Sequence, residues 1–361
     1  MTMSSDPPPP PELPPQDAPS ASAAPGPTPE PGTPGRPPWY RRRAVRLAAL
    51  GTALLVAGCT AAGWAAYQRL ERNIRTDDAT ARALDRHAGD RPGQLVAGAQ
   101  NILVMGTDRE PGADSERSDT VLLLHISADR RRAAVVGVPR DLMVSVPSCE
   151  QPGGGLSRAQ YAQFNWAFQF GGPACTIRAF EQLTGVRVDH HLLVDFDGFR
   201  KVVDALGGVE VDLPVSEYHE EEQIYLPAGR QVLRGDAALA YFRARHGVGD
   251  GSDTARMARD RDFLQALSDQ VRSRGVLSDP FRLYPLLDTV SATLTADSGL
   301  ASVPRLYSLA DALRSVPDGA TAFLTVPRKP YPQDPDRDVP AEPAASRLFS
   351  ELREDRPVTA G

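Results

Sequence analysis

Two aspartates and a scattered set of arginines are the residues of this sequence best suited to chemistry. Asp108 closes the apolar run Asn101-Ile102-Leu103-Val104-Met105-Gly106-Thr107, and Asp119 opens the next one within Arg117-Ser118-Asp119-Thr120. The ten residues between them can return both carboxylates to one edge of a sheet. Two hard oxygen ligands on a rigid edge suit Mg²⁺ completed by water and a substrate phosphate. Turn or capping aspartates have the same spacing, so the pair alone leaves both readings open. In Val138-Pro139-Arg140-Asp141 a strand ends in a guanidinium, which can grip a phosphate through two parallel hydrogen bonds. In Tyr241-Phe242-Arg243-Ala244-Arg245-His246 an extended backbone puts Arg243 and Arg245 on one face, whereas a helix turns them about 160° apart. His246 is either a proton carrier or a polar loop residue. Of 40 basic residues only Lys201 and Lys329 are lysines, so an isolated arginine means little and convergence has to carry the argument.

The elements that must bring these residues together are legible as hydrophobic runs. Residues 101–105, 120–126, 133–138 and 142–146 are short and rich in branched apolar side chains, which predicts strands buried on both faces. Such strands need helices on both sides. Helices are expected over 174–183 and 196–206, ended by Thr184-Gly185 and Gly207-Gly208, each followed by a strand over 186–194 and 209–213. A further helix is expected from Asp253 to about residue 274, with Phe263, Leu264, Leu267 and Val271 on its apolar face and Arg256, Arg259 and Asp260 in its first turns. A final strand is expected over 322–326. The fold class is α/β (α+β), a mixed central sheet between helical layers.

Composition narrows the function. Asp and Glu number 46 against 40 Lys and Arg, a formal charge of -6, so no positive field exists to hold a nucleic-acid backbone. There is no GxxxxGK loop, GxSxG elbow or HExxH helix. Fifteen of the 34 prolines fall in the first 38 residues, a stretch that cannot bury enough surface to order itself. The 21 uncharged residues from 47 to 67 make about 31 Å of helix, enough to span a bilayer. Val56-Ala57-Gly58-Cys59 is similar to a lipoprotein processing site, but the apolar run continues past it through Trp64 and Tyr67. Arg36, Arg41, Arg42, Arg43 and Arg46 on one flank balance Arg69, Arg72, Arg75, Arg82 and Arg86 on the other, so charge leaves the orientation open. Cys149 and Cys175 are the two cysteines of the folded region; they are either one disulfide in an oxidising compartment or two buried thiols.

Taken in order, these blocks resemble the LytR-CpsA-Psr family of cell-wall glycopolymer transferases. The resemblance rests on Gly106-Thr107-Asp108, Arg117-Ser118-Asp119-Thr120, Val138-Pro139-Arg140-Asp141, Asn165-Trp166-Ala167-Phe168 with Gly171-Gly172, and Leu183-Thr184-Gly185. It continues through Val194-Asp195-Phe196-Asp197-Gly198-Phe199, Val203 to Val209, Arg243-Ala244-Arg245-His246 and Arg256-Met257-Ala258-Arg259. The resemblance implies a single-pass cell-membrane protein with a cytoplasmic N-terminus, an extracytoplasmic catalytic domain and a Cys149–Cys175 bridge. It implies a polyprenyl pyrophosphate-linked glycan as donor and a peptidoglycan hydroxyl as acceptor. It further implies Mg²⁺ (or Mn²⁺) on Asp108 and Asp119, and a pyrophosphate surrounded by Arg117, Arg140, Arg243, Arg245 and Arg256. A non-catalytic lipid-linked glycan receptor and a polyprenyl pyrophosphate phosphatase are the alternative functions. Similar proteins read Arg-x-x-Arg-Gln-Gln where this chain has Arg256-Met257-Ala258-Arg259-Asp260-Arg261, so an acid replaces an amide, and an ion pair from Asp260 to Arg256 or Arg259 is expected. The organisation expected is a disordered tail over 1–40, a transmembrane helix over 44–67, a connector over 68–97, the catalytic domain over 98–330 and an irregular segment over 331–361.

Overall fold

The computed structural model describes residues 39–107, 118–219, 223–243, 253–273 and 280–358. The uncharged run lies inside α1 (Trp39–Asn73), which is long and apolar enough to cross a membrane and exposes Leu47, Leu50, Leu54, Leu55 and Trp64. Residues 1–60 and 61–361 are two compact units. In the second unit the last turns of α1 bury Leu70, and Arg69 holds Asp288 through two hydrogen bonds of 2.9 Å. The chain then forms β1 (Arg75–Thr76) and α2 (Asp78–Arg86), whose first turn is capped by the Asp77 carboxylate accepting from Thr80 N at 3.0 Å.

Three strands follow, β2 (Gln100–Thr107), β3 (Ser118–Ile126) and β4 (Ala133–Val138), then the hairpin β5 (Met143–Val146) and β6 (Gln160–Gln163). Next come α3 (Trp166–Thr184), β7 (His190–Asp195), α4 (Phe196–Ala205), β8 (Val209–Leu213), β9 (Glu217–His219), β10 (Ile224–Leu226) and β11 (Gly229–Leu233). The remainder is α5 (Gly235–Arg243), α6 (Asp253–Ser273), α7 (Pro280–Thr293), β12 (Leu294–Ala296), α8 (Val303–Ser315), β13 (Thr321–Thr325), β14 (Arg328–Tyr331), β15 (Asp334–Pro340) and α9 (Ala344–Arg353).

Seven strands make one mixed sheet in the order β1-β12-β7-β2-β3-β4-β13. One face carries Leu103, Met105, Val121, Leu123, Val136 and Val138 against α3 and α9, where Phe180, Ile177 and Phe349 are buried. Each such side chain contributes about 2–3 kcal/mol by leaving water. The other face packs Ile102 and Ile126 beneath α8. A separate cluster joins β8 and β11 to α5 and α6 through stacked and tilted rings of Phe199, Phe242, Phe263 and Tyr241. This is the mixed sheet between helical layers that the apolar runs predict.

Several local expectations need correction. The run 142–146 becomes a strand only from Met143 and pairs with β6 outside the main sheet. Residues 186–189 are not strand, and β7 starts at His190. The segment after 331, expected to be irregular, contains β15, paired with β14, and α9, whose Ala345, Leu348, Phe349 and Leu352 enter the main core. Helix α3 begins eight residues earlier than expected and is broken at Gly171-Gly172, where Gly172 has φ +61°. A Cβ on Gly171 would sit 2.8 Å from both Cys149 Cβ and Glu150 O, so only glycine allows the preceding loop to lie this close.

Cys149 and Cys175 are bridged, with Cα atoms 5.6 Å apart, tying that loop to α3. Replacing both by serine is expected to lower the unfolding free energy by about 3 kcal/mol, because the bridge restrains the unfolded chain. The urea midpoint of the full chain in detergent reads this loss. An unchanged midpoint would mean that packing alone holds the loop.

Candidate functional site

The pairing directions decide which strand ends meet. β2 is parallel to β7 and antiparallel to β3; β3 is antiparallel to β4; β4 is parallel to β13. The C-terminal ends of β2, β4, β7 and β13 therefore share one edge with the start of β3. Ligands of open α/β sheets bind at such carboxyl ends. Thr107 pairs with Ser118, Gly106 with Thr120, and the register shifts between Gly106 and Thr107. Asp119 is the extra residue at that irregularity, one position from the pair that ends β2. Asp108 directly follows Thr107 but lies outside the described residues, as do Arg117, Arg245 and His246. The backbones of Asp119 and Arg256 are described, in β3 and α6, and their side chains are not.

Arg140 reaches this edge two residues beyond β4. Its Nε donates to Asp141 Oδ2 at 3.1 Å, and Asp141 Oδ1 accepts from Gln163 Nε2 and faces Arg337 Nη1 at 3.5 Å. β15 docks on the same turn, with Asp338 N donating to Asp141 O. The guanidinium is thus oriented by an acid that β6 and the C-terminal hairpin hold in turn. Sequence reasoning missed Gln163 and Arg337, which lie far along the chain and carry no motif.

Arg243 comes to the edge from the last residue of α5, with its Cζ 4.5 Å from the ring centroid of Phe196, the first residue after β7. The extended backbone that would align Arg243 with Arg245 is not found up to Arg243, because the alanine-rich run after Gly235-Asp236 is helical. Arg259 does not face a phosphate site. It is buried, 2.6 Å from Glu217 Oε2 and 4.6 Å from the Tyr241 ring centroid. The expected Asp260 pairing is therefore replaced at Arg259 by Glu217, and the side chain of Asp260 is outside the described residues.

One space opens at this edge on each face of the sheet, and a third lies farther along one face. Thr120 and Leu122 of β3, Val135 and Gly137 of β4, and Phe323 and Thr325 of β13 alternate along their strands and so line one face. With Phe242 and Leu264 above them they form a narrow apolar groove of about 50 Å³ that also touches Arg140 and Arg261. A second space of about 340 Å³ shares Phe323 and runs beside Gln265 and Ser268 of α6. On the other face Thr107, Leu193 and Asp195 border a polar cleft of about 600 Å³, walled by α2 and by the loop that the disulfide fixes.

Asp77 supports the α2 wall. Burial disfavours its charge, but hydrogen bonds from His191 and Thr80 outweigh that and hold its carboxyl at about 2, below the ordinary 3.8. A depressed folded-state value gives stability that is present above about pH 4 and is lost as pH falls through about 2. Asp77→Asn is therefore expected to flatten the acid limb of the stability curve between those values. Equal slopes for the two proteins in acid titration of unfolding would contradict this.

Among the described residues no cluster of three or more His, Cys, Asp or Glu is placed to hold a metal ion. Residues 63–342 match the LytR_cpsA_psr family. The chain is 32% identical over 269 residues to the probable cell wall biosynthesis protein LcpB of Corynebacterium glutamicum, covering 70% of this chain and 61% of that one. It is 28% identical over 215 residues to the polyisoprenyl-teichoic acid–peptidoglycan teichoic acid transferase TagV of Bacillus subtilis, covering 58% and 53%. It thus spans between half and two thirds of the length of these relatives. A solved LytR-Csp2A-Psr enzyme from Actinomyces oris superimposes with a TM-score of 0.56 at 25% identity, over 73% of this chain and 93% of that one.

Proposed function

The chain belongs to the LytR_cpsA_psr family, and from that premise we propose that it transfers a glycopolymer from a polyprenyl pyrophosphate carrier to a peptidoglycan sugar hydroxyl. The observation that carries this reading is the convergence at one sheet edge: β2 ends at the residue before Asp108, β3 begins with Ser118-Asp119, and Arg140 and Arg243 arrive from β4 and α5. The named activity of the TagV relative supports the same substrate classes.

The donor set fits a hard divalent cation, since two carboxylate-bearing positions flank the paired end of β2 and β3 and leave the remaining coordination to water and phosphate oxygens. Asp108 and Asp119 would hold Mg²⁺ or Mn²⁺, which when bound neutralises charge on the pyrophosphate. The acceptor oxygen attacks the phosphorus that bears the glycan. Its bond to that phosphorus forms as the bond from phosphorus to the bridging oxygen breaks. Polyprenyl phosphate leaves with the electron pair, and the hydroxyl proton passes to solvent. Arg140, oriented by Asp141, and Arg243, seated on Phe196, are assigned to the pyrophosphate oxygens, together with Arg117, Arg245 and Arg256. Phosphoryl transfer of this kind needs positioning and charge neutralisation more than a covalent nucleophile.

The apolar groove beneath α6 is assigned to the start of the polyprenyl chain. The groove is narrow, about 50 Å³, and is bounded by Phe242 of α5 and Leu264 of α6. Helix α1 is assigned as a single-pass anchor with the N-terminus cytoplasmic and the folded domain outside.

The test incubates the full chain in detergent with lipid-linked glycan and peptidoglycan. A covalent conjugate is expected with Mg²⁺ or Mn²⁺ and none with EDTA. Donor consumption without conjugate would make the protein a phosphatase, and donor binding without consumption a receptor.

A further inference from the structure

The geometry points to the polar cleft as the acceptor subsite, taking a glycan strand that bears carboxylate-containing peptides and presenting it from the face opposite the donor groove. This rests on the transferase reading above. Its first support is position. Thr107 borders the cleft and Thr120 borders the groove, and these residues adjoin Asp108 and Asp119 respectively. A ligand in each space would meet where β2 ends and β3 begins, with the sheet edge keeping the two substrates apart elsewhere. A volume of about 600 Å³ lies within the range of about 300–1,000 Å³ typical of ligand pockets.

The second support is charge. Arg75, Arg82 and Arg86 line the cleft, as do the acids Asp77, Glu150 and Asp195. The acids are engaged within the fold: Asp77 holds His191 and caps α2, Glu150 pairs with Arg86, and Asp195 caps α4 by accepting from Gly198 N at 2.6 Å. The guanidiniums of Arg75 and Arg82 are exposed and make no hydrogen bond or ion pair among the described residues. Arg75 and Arg82 are therefore the two guanidiniums left for a ligand, and guanidiniums bind carboxylates well. A neutral glycan would not use them.

The third support is rigidity. The Gly171-Gly172 break and the Cys149–Cys175 bridge fix the Glu150–Pro152 wall against α3, and Asp77 fixes α2 opposite. A preformed cleft loses little ordering entropy when a flexible glycan binds.

The test uses the full chain in detergent and calorimetric titration without turnover. The probes are a peptide-bearing glycan fragment released by muramidase, the same fragment stripped of peptide by amidase, and a short-chain polyprenyl pyrophosphate. Arg75→Ala combined with Arg82→Ala is expected to weaken binding of the peptide-bearing fragment about tenfold, the sum of two exposed ion pairs. Binding of the stripped fragment and of the pyrophosphate should match wild type. Equal affinity of both proteins for the peptide-bearing fragment would overturn the assignment, and so would a loss confined to the pyrophosphate, which would give the cleft to the donor. Fragment binding of the expected pattern in a protein that forms no conjugate would retain the subsite and remove the transferase reading; conjugate formation without that pattern would do the reverse.

Discussion

Asp119→Asn, and separately Asp108→Asn, is expected to lower transfer by on the order of a hundredfold or more while leaving the urea midpoint unchanged. An asparagine keeps the shape of the side chain but removes the charge that draws a divalent cation to the edge. In sequence Asp108 follows, and Asp119 adjoins, the last pairing of β2 with β3, Thr107 with Ser118, next to the apolar core residues Met105 and Val121. Stability should therefore be indifferent to the change, since substitutions away from the core stay within about 0.5 kcal/mol. Raising the Mg²⁺ concentration should recover part of the lost rate if a weakened site is the cause. Near-normal transfer by either variant at ordinary Mg²⁺ would remove that aspartate from the metal site.

Glu217→Ala is expected to cost about 3–5 kcal/mol, because it leaves a charged guanidinium buried without its partner. Arg259 is only 6% exposed, and its Nε and Nη2 have no hydrogen-bond partner among the described residues, so its charge depends on the Glu217 carboxylate and on the Tyr241 ring. The pair joins α6 to β9 two turns after α6 begins, and Arg256 lies one turn earlier on the same helix. Loss of the pair should loosen the first turns of α6, and with them any grip of Arg256 on the donor. Glu217→Gln, which keeps an acceptor, should fall between wild type and Ala. Glu217→Leu with Arg259→Met should recover most of the stability, since well-packed apolar pairs replace buried ion pairs at little cost. A stability for Glu217→Ala within 1 kcal/mol of wild type would show that Arg259 is hydrated or otherwise paired.

What the sequence made legible follows its periodicity. The runs at 101–105, 120–126 and 133–138 have nowhere to go except the centre of a two-sided sheet, and they form β2, β3 and β4. The closing Gly185 sits at φ +66° at the end of α3, as its place after Leu183-Thr184 predicts. The C-terminus was obscured by its composition: Pro330, Pro332, Pro335 and Pro340 mask a hairpin that is held by pairing between β14 and β15 and by the ion pair of Arg328 with Asp338. The helix after it was nonetheless readable, since Ala345, Leu348, Phe349 and Leu352 recur at helical spacing and all are buried.

The site divides in the same way. Arg140 beside Asp141 is adjacent in sequence and adjacent in space. Arg259 could be read as a phosphate contact because its motif sits in the first turns of a helix, but its actual partner, Glu217, is 42 residues away on a strand that no local pattern ties to α6. Arg243 could lie on an extended segment or on a helix, and the helical propensity of Ala237, Ala238, Leu239 and Ala240 decides for the helix. The polar cleft has no sequence signature at all. It is assembled from the ends of four strands, the helices α2 and α3, the end of α7 and a bridged loop, and only the topology brings them together.

The bond formed in the transfer can be followed with a donor whose glycan-bearing phosphate carries radioactive phosphorus. The full chain, the labelled donor, Mg²⁺ and peptidoglycan are incubated, and the label is traced after the wall material is washed and digested with muramidase. Attack by a peptidoglycan hydroxyl on that phosphorus puts the label into a phosphodiester on a wall fragment and releases unlabelled polyprenyl phosphate. Label recovered only as soluble glycan phosphate, or retained in the intact donor, would contradict the transfer reaction itself.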